Sequence, residues 1–302
     1  MKTHVECLPC LLRQALQVAR LTLCSEYQQV HILQAVSSVI AEMDVGKSPP
    51  ANATLVYSKI AEITGCEDPY YEKKSVCNEQ ALRIVPNLRQ EIQGSEHELS
   101  SAVRFAIAGN IIDYGASETF DIEAALERSR SSKMAVDHFP HLADALRRLA
   151  KGSTVLYLTD NCGEIVYDSL LVEYLHRCGF DITIAVKSGP IINDALVEDA
   201  LTAGLDKYGR IITNGGRFPG TVLEACSSQF VDYFNAADLV IAKGQGNFES
   251  LSEVERDVFF LLTIKCPVAA EHMAELNGVH TDKLVGQGEM AVYYSGPRKV
   301  WG

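Results

Sequence analysis

The sequence predicts an α/β fold with a mostly parallel sheet, preceded by a helical N-terminal domain. Three observations carry that expectation. Apolar residues recur every three to four positions through the first half of the chain. From Lys151 onward this period gives way to short, near-continuous apolar runs rich in Val, Ile, Leu and Thr. Those runs alternate with helical segments, the pattern of parallel strands covered on both faces in three layers, α/β/α. At 302 residues the chain can bury a full core without disulfides. We place a helical domain over 1–150 and an α/β domain over 151–302.

In chain order, "LPCLLRQALQVARLTL", "QQVHILQAVSSVIAEM" and "ATLVYSKIAEITG" repeat apolar residues at helical spacing, with breakers at "VGKSPPANA" and "GCEDPYYEKK". "ELSSAVRFAIAGNIIDYG" and "DIEAALERSRSSKMAVDHFPHLADALRRLA" continue the helical pattern. The strands expected after Lys151 are "STVLYLTDN", "DITIAVKSG", "RIITNGG", "DLVIAKGQGN" and "FFLLTIKCP". Helices are expected between them, among others at "GEIVYDSLLVEYLHRCG" and "NDALVEDALTAG".

Composition narrows the function. With 27 Lys plus Arg against 39 Asp plus Glu, the formal charge of −12 argues against nucleic acid and against an anionic membrane as partner. An anionic substrate would need a local patch or a metal. Hydrophobic content of 47% and charged content of 22% are ordinary for a soluble protein. The N-terminal apolar run is interrupted by Glu6, Pro9, Arg13 and Gln14, unlike a signal sequence or a membrane span. A cytoplasmic location is therefore expected, with most of the nine cysteines as buried thiols in a reducing compartment.

In open α/β sheets ligands lie outside the carboxyl ends of the strands. Here those ends carry Asp160 and Asn161 after the first run, Lys187 after the second, Asn214 after the third, Lys243 to Asn247 after the fourth and Lys265 after the fifth. Carboxylate and amide oxygens suit a hard divalent cation, and Lys243 with the backbone N–H groups of the glycine-rich turn holding Gly244, Gly246 and Asn247 suits a phosphate. Asp160, Asn161 and Asp194 would together be three oxygen ligands on one cation. The plainer alternative is helix capping, by Asp160 or Asn161 before the helix opening near Gly163 and by Asp194 or Asn193 before the helix from Ala195. Glu164 either orients a metal-bound water or serves as a first-turn acid.

"KGQGNF" is not a Walker A loop, no GxGxxG follows the first strand, and "TDNCG" is not a DxD motif. Cys7 and Cys10 form a lone CxxC at a helix start, readable as a redox pair or as two small packing residues; a structural zinc site needs partners the spacing does not supply. Asn110 and Asp113, three apart, either line a cleft between the domains or complete a polar turn.

Several ordered stretches point one way. "MKTHVECLPCLLRQAL", "RFAIAGNIIDYG", "LTDNCGEIVYDSLLVEYL", "VKSGPIINDAL", "NGGRFPGTVLEA", "ADLVIAKGQGNFESL" and "KCPVAAEHM" together resemble the damage-control metal-dependent phosphatases, and within them the prokaryotic subfamily with an N-terminal CxxC. The resemblance implies a Rossmann-like three-layer domain packed with a helical N-terminal region, and a divalent Mn2+, Ni2+, Co2+ or Mg2+. It implies metal ligands at Asp160, Asn161 and Asp194, a phosphate-facing Lys243, and an association of Cys7 and Cys10 with activity. The implied reaction is hydrolysis of phosphomonoesters, sugar phosphates or damaged phosphometabolites. Relatives often carry alanine where this chain has Cys162, which here is a candidate extra ligand or oxidation point. Two rivals are a non-catalytic phosphometabolite sensor and an S-adenosylmethionine-dependent methyltransferase; the missing glycine-rich loop after the first strand argues against the second. The attacking nucleophile is water or, alternatively, Asp160 itself.

Overall fold

The computed structural model describes residues 1–109, 122–278 and 284–296. Three helices, α1 (Cys7–Leu21), α2 (Glu26–Ala41) and α3 (Pro49–Thr64), bury their apolar faces against one another. Their ends follow local chemistry: Ser25 and Gln28 form a capping box on α2, Pro49 opens α3, and Gly65 closes it with φ 67°. Next come α4 (Tyr71–Gln93), α5 (Glu98–Ala108), α6 (Ile122–Ser131), a short β1 (Val136–Asp137) and α7 (Phe139–Arg148).

The remaining chain alternates: β2 (Thr154–Leu158), α8 (Glu164–Arg177), β3 (Asp181–Val186), α9 (Val197–Thr202), β4 (Arg210–Thr213), α10 (Ser228–Ala236), β5 (Leu239–Lys243), α11 (Gly244–Leu251), β6 (Phe259–Ile264), α12 (Pro267–Asn277) and β7 (Glu289–Tyr294). The strands form one sheet in the order β1-β7-β6-β5-β2-β3-β4, parallel throughout except for β7 against β6. Successive side chains of each inner strand feed opposite faces. Val155, Tyr157, Ile182, Ile184 and Ile241 join a core with α4, α5 and α8. Leu156, Leu158, Val240 and Ala242 join another with α10, α11 and α12. The expected mostly parallel sheet, covered on both faces, is what forms.

The core does not break at residue 150. β1 pairs with β7, and Leu142 and Leu146 of α7, like the buried residues of α4 and α5, belong to the core beneath the sheet. Only α1, α2 and α3 keep a cluster of their own, joined by Ile192 from beyond β3. A helical domain over 1–150 therefore describes the order of elements and not the partition of the core. Among the described residues no helix is long and apolar enough to cross a membrane.

Candidate active site

Chain order runs from β2 outward to β3 and β4, then returns to β5 on the other flank of β2. A crevice opens at such a reversal, between the carboxyl ends of β2 and β5. Asp160 and Asn161 follow β2; Lys243 ends β5, and Gly244 opens α11. Gly244 has φ 78°, and a Cβ there would stand 1.9 Å from Asp160 Oδ2, so the Asp160 side chain lies against the Gly244 backbone as closely as only glycine allows.

Backbone pairing brings the loop after β3 to the same place. Asn161 and Asp194 form an antiparallel bridge, flanked by Cys162 N–H donating to Asn193 O at 2.9 Å and Ala195 N–H to Asp160 O at 2.8 Å. Ile192 leads into this loop with φ 46°, a strained conformation for a β-branched residue. Neither loop is organised by the capping alternatives. The N-cap of α8 is Gly163, with φ 73° and no side-chain cap, and α9 begins only at Val197, where Asp199 Oδ2 accepts from Leu196 N–H.

The side chains so gathered are buried and acidic. Asp160 is 8% exposed and Asp194 3%. Asn161 Nδ2 donates to Asp160 Oδ2 at 2.7 Å and to Glu164 Oε2 at 3.2 Å. The Lys187 ammonium stands 3.4 Å from Asp194 Oδ2, an ion pair without hydrogen-bond alignment, so that buried oxygen has no hydrogen-bond partner. Lys187 itself donates to Gly220 O. Burial pushes the Asp160 carboxyl well above the usual carboxylate range, the charges of Glu164 and Asp194 push it further, and Lys187 and Lys265 oppose them. Burial likewise raises Asp194 to about 6 against the pull of Lys187. Carboxylates crowded in this way favour a cation among them. Among the described residues no three His, Cys, Asp or Glu side chains alone make a metal site; the donor set here is two carboxylates and an amide.

Lys243 does not face the crevice. It is wholly buried, and its ammonium donates to Glu164 Oε1 at 2.6 Å, Asp168 Oδ1 at 2.6 Å and Ala106 O at 2.8 Å. An ammonium has three N–H groups, so none remains for a phosphate. Burial works against its charge, but Asp168 and Glu164 outweigh that and hold its pKa above the ordinary value. The phosphate-facing role expected of Lys243 gives way to a structural one, because β5 is an inner strand covered on both faces. Glu164, 1% exposed, is more than a first-turn acid: one oxygen takes Lys243 and the other accepts from Asn161. Asn247 is also buried and internally engaged, donating to Lys243 O and Thr159 O and accepting from Thr221 Oγ1. A substrate contact by its side chain does not fit this arrangement. Lys265, exposed just after β6, and Lys187 are the lysines whose charge reaches Asp160.

Cys7 and Cys10 lie in the first turn of α1, half-buried, and line a cavity of about 480 Å3 with Cys266, Glu249, Gly246 and Ile192. Burial raises the Cys7 thiol. Cys10 Sγ accepts from Gln14 Nε2 at 3.3 Å, and Gln14 Oε1 accepts from Tyr57 OH at 2.9 Å. Cys162 turns away from the acids: its thiol hydrogen-bonds Cys77, which together with burial drives its pKa up. Asn110 and Asp113 lie outside the described residues. Reasoning from sequence missed Asp168, Asn78 and the weight of Lys187. For Asp168 a signal existed: it stands four residues after Glu164 in the apolar first half of the helix, hence on the same face.

The sheet reversal, the bridged loops and the buried acid–amide set define an α/β protein with a candidate ligand site at the carboxyl ends of β2 and β5. Residues 3–279 match the model of the damage-control phosphatase ARMT1-like domain. A damage-control phosphatase of Pyrococcus horikoshii is 34% identical over 277 residues, covering 90% of this chain and 94% of that one. A damage-control phosphatase of Archaeoglobus fulgidus is 33% identical over 277 residues, covering 90% and 95%. The crystal structure of a DUF89 family protein from Pyrococcus horikoshii superposes with a TM-score of 0.84 at 31% identity, covering 98% of this chain and 99% of the other. The chain belongs to the ARMT1-like damage-control phosphatase family.

Proposed function

We propose that the protein hydrolyses phosphomonoesters of small metabolites, sugar phosphates or damaged phosphometabolites among them, with a divalent cation such as Mn2+, Ni2+, Co2+ or Mg2+. The observation that carries the reading is the pairing of Asp160–Asn161 with Asp194 across two loops, leaving Asp194 Oδ2 buried without a hydrogen bond. Two carboxylates and an amide are the hard oxygen donors such ions take, and a cation would relieve the repulsion that raises Asp160. Asp160, Asn161 and Asp194 would hold it. When bound, it supplies Lewis-acid polarisation of a phosphoryl oxygen and lowers the pKa of water.

The chain's own groups do the rest. Glu164 fixes the Asn161 amide, and Lys243 in turn fixes Glu164. Lys187 and Lys265 supply positive charge beside Asp160, where transferring phosphoryl oxygens gather negative charge. The N–H groups at the start of α11 add partial positive charge on the β5 side of the crevice.

The test is hydrolysis of p-nitrophenyl phosphate by metal-stripped protein resupplied with each cation. Activity should return only with metal, and Asp160→Ala and Asp194→Ala should each lower it by at least about a hundredfold. Metal-independent turnover, or full activity in both variants, contradicts the reading.

A further inference from the structure

Asn78 of α4 is 4% exposed and lies far in sequence from either acidic loop. Its Oδ1 accepts from Gly163 N–H at 2.6 Å, and its Nδ2 donates to Asp199 Oδ1 at 2.6 Å. Asp199 passes the connection on, its Oδ2 accepting from Leu196 N–H at 2.8 Å. One carboxamide thus bonds the loop two residues beyond Asn161 and, through Asp199, the loop two residues beyond Asp194. Only a group offering both an acceptor and a donor can do this. The Gly163 N–H is one of the amides a helix start leaves without an internal partner, and burial makes its satisfaction necessary. The residue before Asn78 adds to the grip, since the Cys77 thiol hydrogen-bonds that of Cys162. One turn earlier, Lys74 is buried and paired with Asp68 at 2.5 Å.

We infer that Asn78 is a positioning residue: it holds the Asp160–Asn161 loop and the Asp194 loop at the separation a shared cation requires. Its kinetic consequence rests on the metal-dependent phosphatase reading; its mechanical consequence does not. Groups that orient metal ligands typically contribute 10–100-fold in metal affinity or activity.

Three variants test it. Asn78→Ala removes both bonds. Asn78→Asp keeps the acceptor for Gly163 but loses the donor and faces the Asp199 carboxylate. Leu88→Ala, on the same helix and 3% exposed, controls for loss of stability alone. The Mn2+ concentration giving half-maximal hydrolysis of p-nitrophenyl phosphate should rise about 10–100-fold in Asn78→Ala, with a smaller change in KM for the ester. Amide hydrogen exchange should quicken over 160–164 and 193–197 in Asn78→Ala, and over 193–197 alone in Asn78→Asp. Leu88→Ala should leave both readouts as in the wild type. An Mn2+ requirement within twofold of wild type together with unchanged exchange, or the same changes in Leu88→Ala, overturns the proposal. Wild-type protein without metal-dependent hydrolysis would sink the phosphatase reading instead, and the exchange measurement would still decide the role of Asn78.

Discussion

Gly244 is the residue on which the crevice turns. Its φ of 78° and the 1.9 Å that would separate a Cβ from Asp160 Oδ2 leave an L side chain no place. Gly244→Ala should therefore cost about 1–3 kcal/mol of stability and displace Asp160, lowering turnover of p-nitrophenyl phosphate beyond what the stability loss explains. A melting curve and an activity assay on one preparation separate the two effects. That Asp160 and Asn161 come together with Asp194 was legible in the sequence, because residues at strand ends and in the loops that follow gather at one edge of a parallel sheet. Depth was not legible. Lys243 and Asn247 stand at the same rim in sequence, yet both point into covered faces, and only packing tells an ammonium aimed at solvent from one sealed over two carboxylates.

That sealed ammonium joins elements. Lys243 ends β5 and bonds Glu164 and Asp168 of α8 and the Ala106 carbonyl of α5. Lys243→Met should leave two carboxylates buried without their cation and destabilise the protein by about 3–5 kcal/mol, read as a shift of the urea midpoint. A lysine that served only to meet phosphate would lose activity with little loss of stability. At this scale the apolar runs made β2 to β6 legible, while three other elements stayed hidden. α4 carries Pro86 and a dense set of charges that blur its period. β1 has two residues and lies inside a helical stretch, and β7 comes after α12 and runs antiparallel to β6, outside the βα alternation. Missing α4 meant missing Asn78.

Across the whole molecule, partly and fully buried acids set the response to pH. Glu249 of α11 titrates at about 7 in the fold against 4.5 for a free side chain, raised by burial despite the hydrogen bond from Gln245. Its folded pKa is the higher, so between those values the folded chain holds a proton that the unfolded chain has released. Stability should therefore fall as pH rises from about 4.5 to 7 and level off above it. Glu249→Gln should remove that part of the slope, on the order of 2 kcal/mol between its ends, measured as unfolding midpoints at pH 5 and 8. Asp160 and Asp194 are shifted in the same direction. Protein loaded with Mn2+ should lose less stability over this range than metal-stripped protein, because the cation favours their ionised forms.

The chemistry proposed for this site requires that the acid–amide–acid set at the sheet reversal bind a cation. Electron paramagnetic resonance of free Mn2+ during titration of metal-stripped protein measures this directly. One tight ion per chain is expected, lost in Asp160→Ala and in Asp194→Ala while both variants remain folded. Equal tight binding by the wild type and both variants would contradict it.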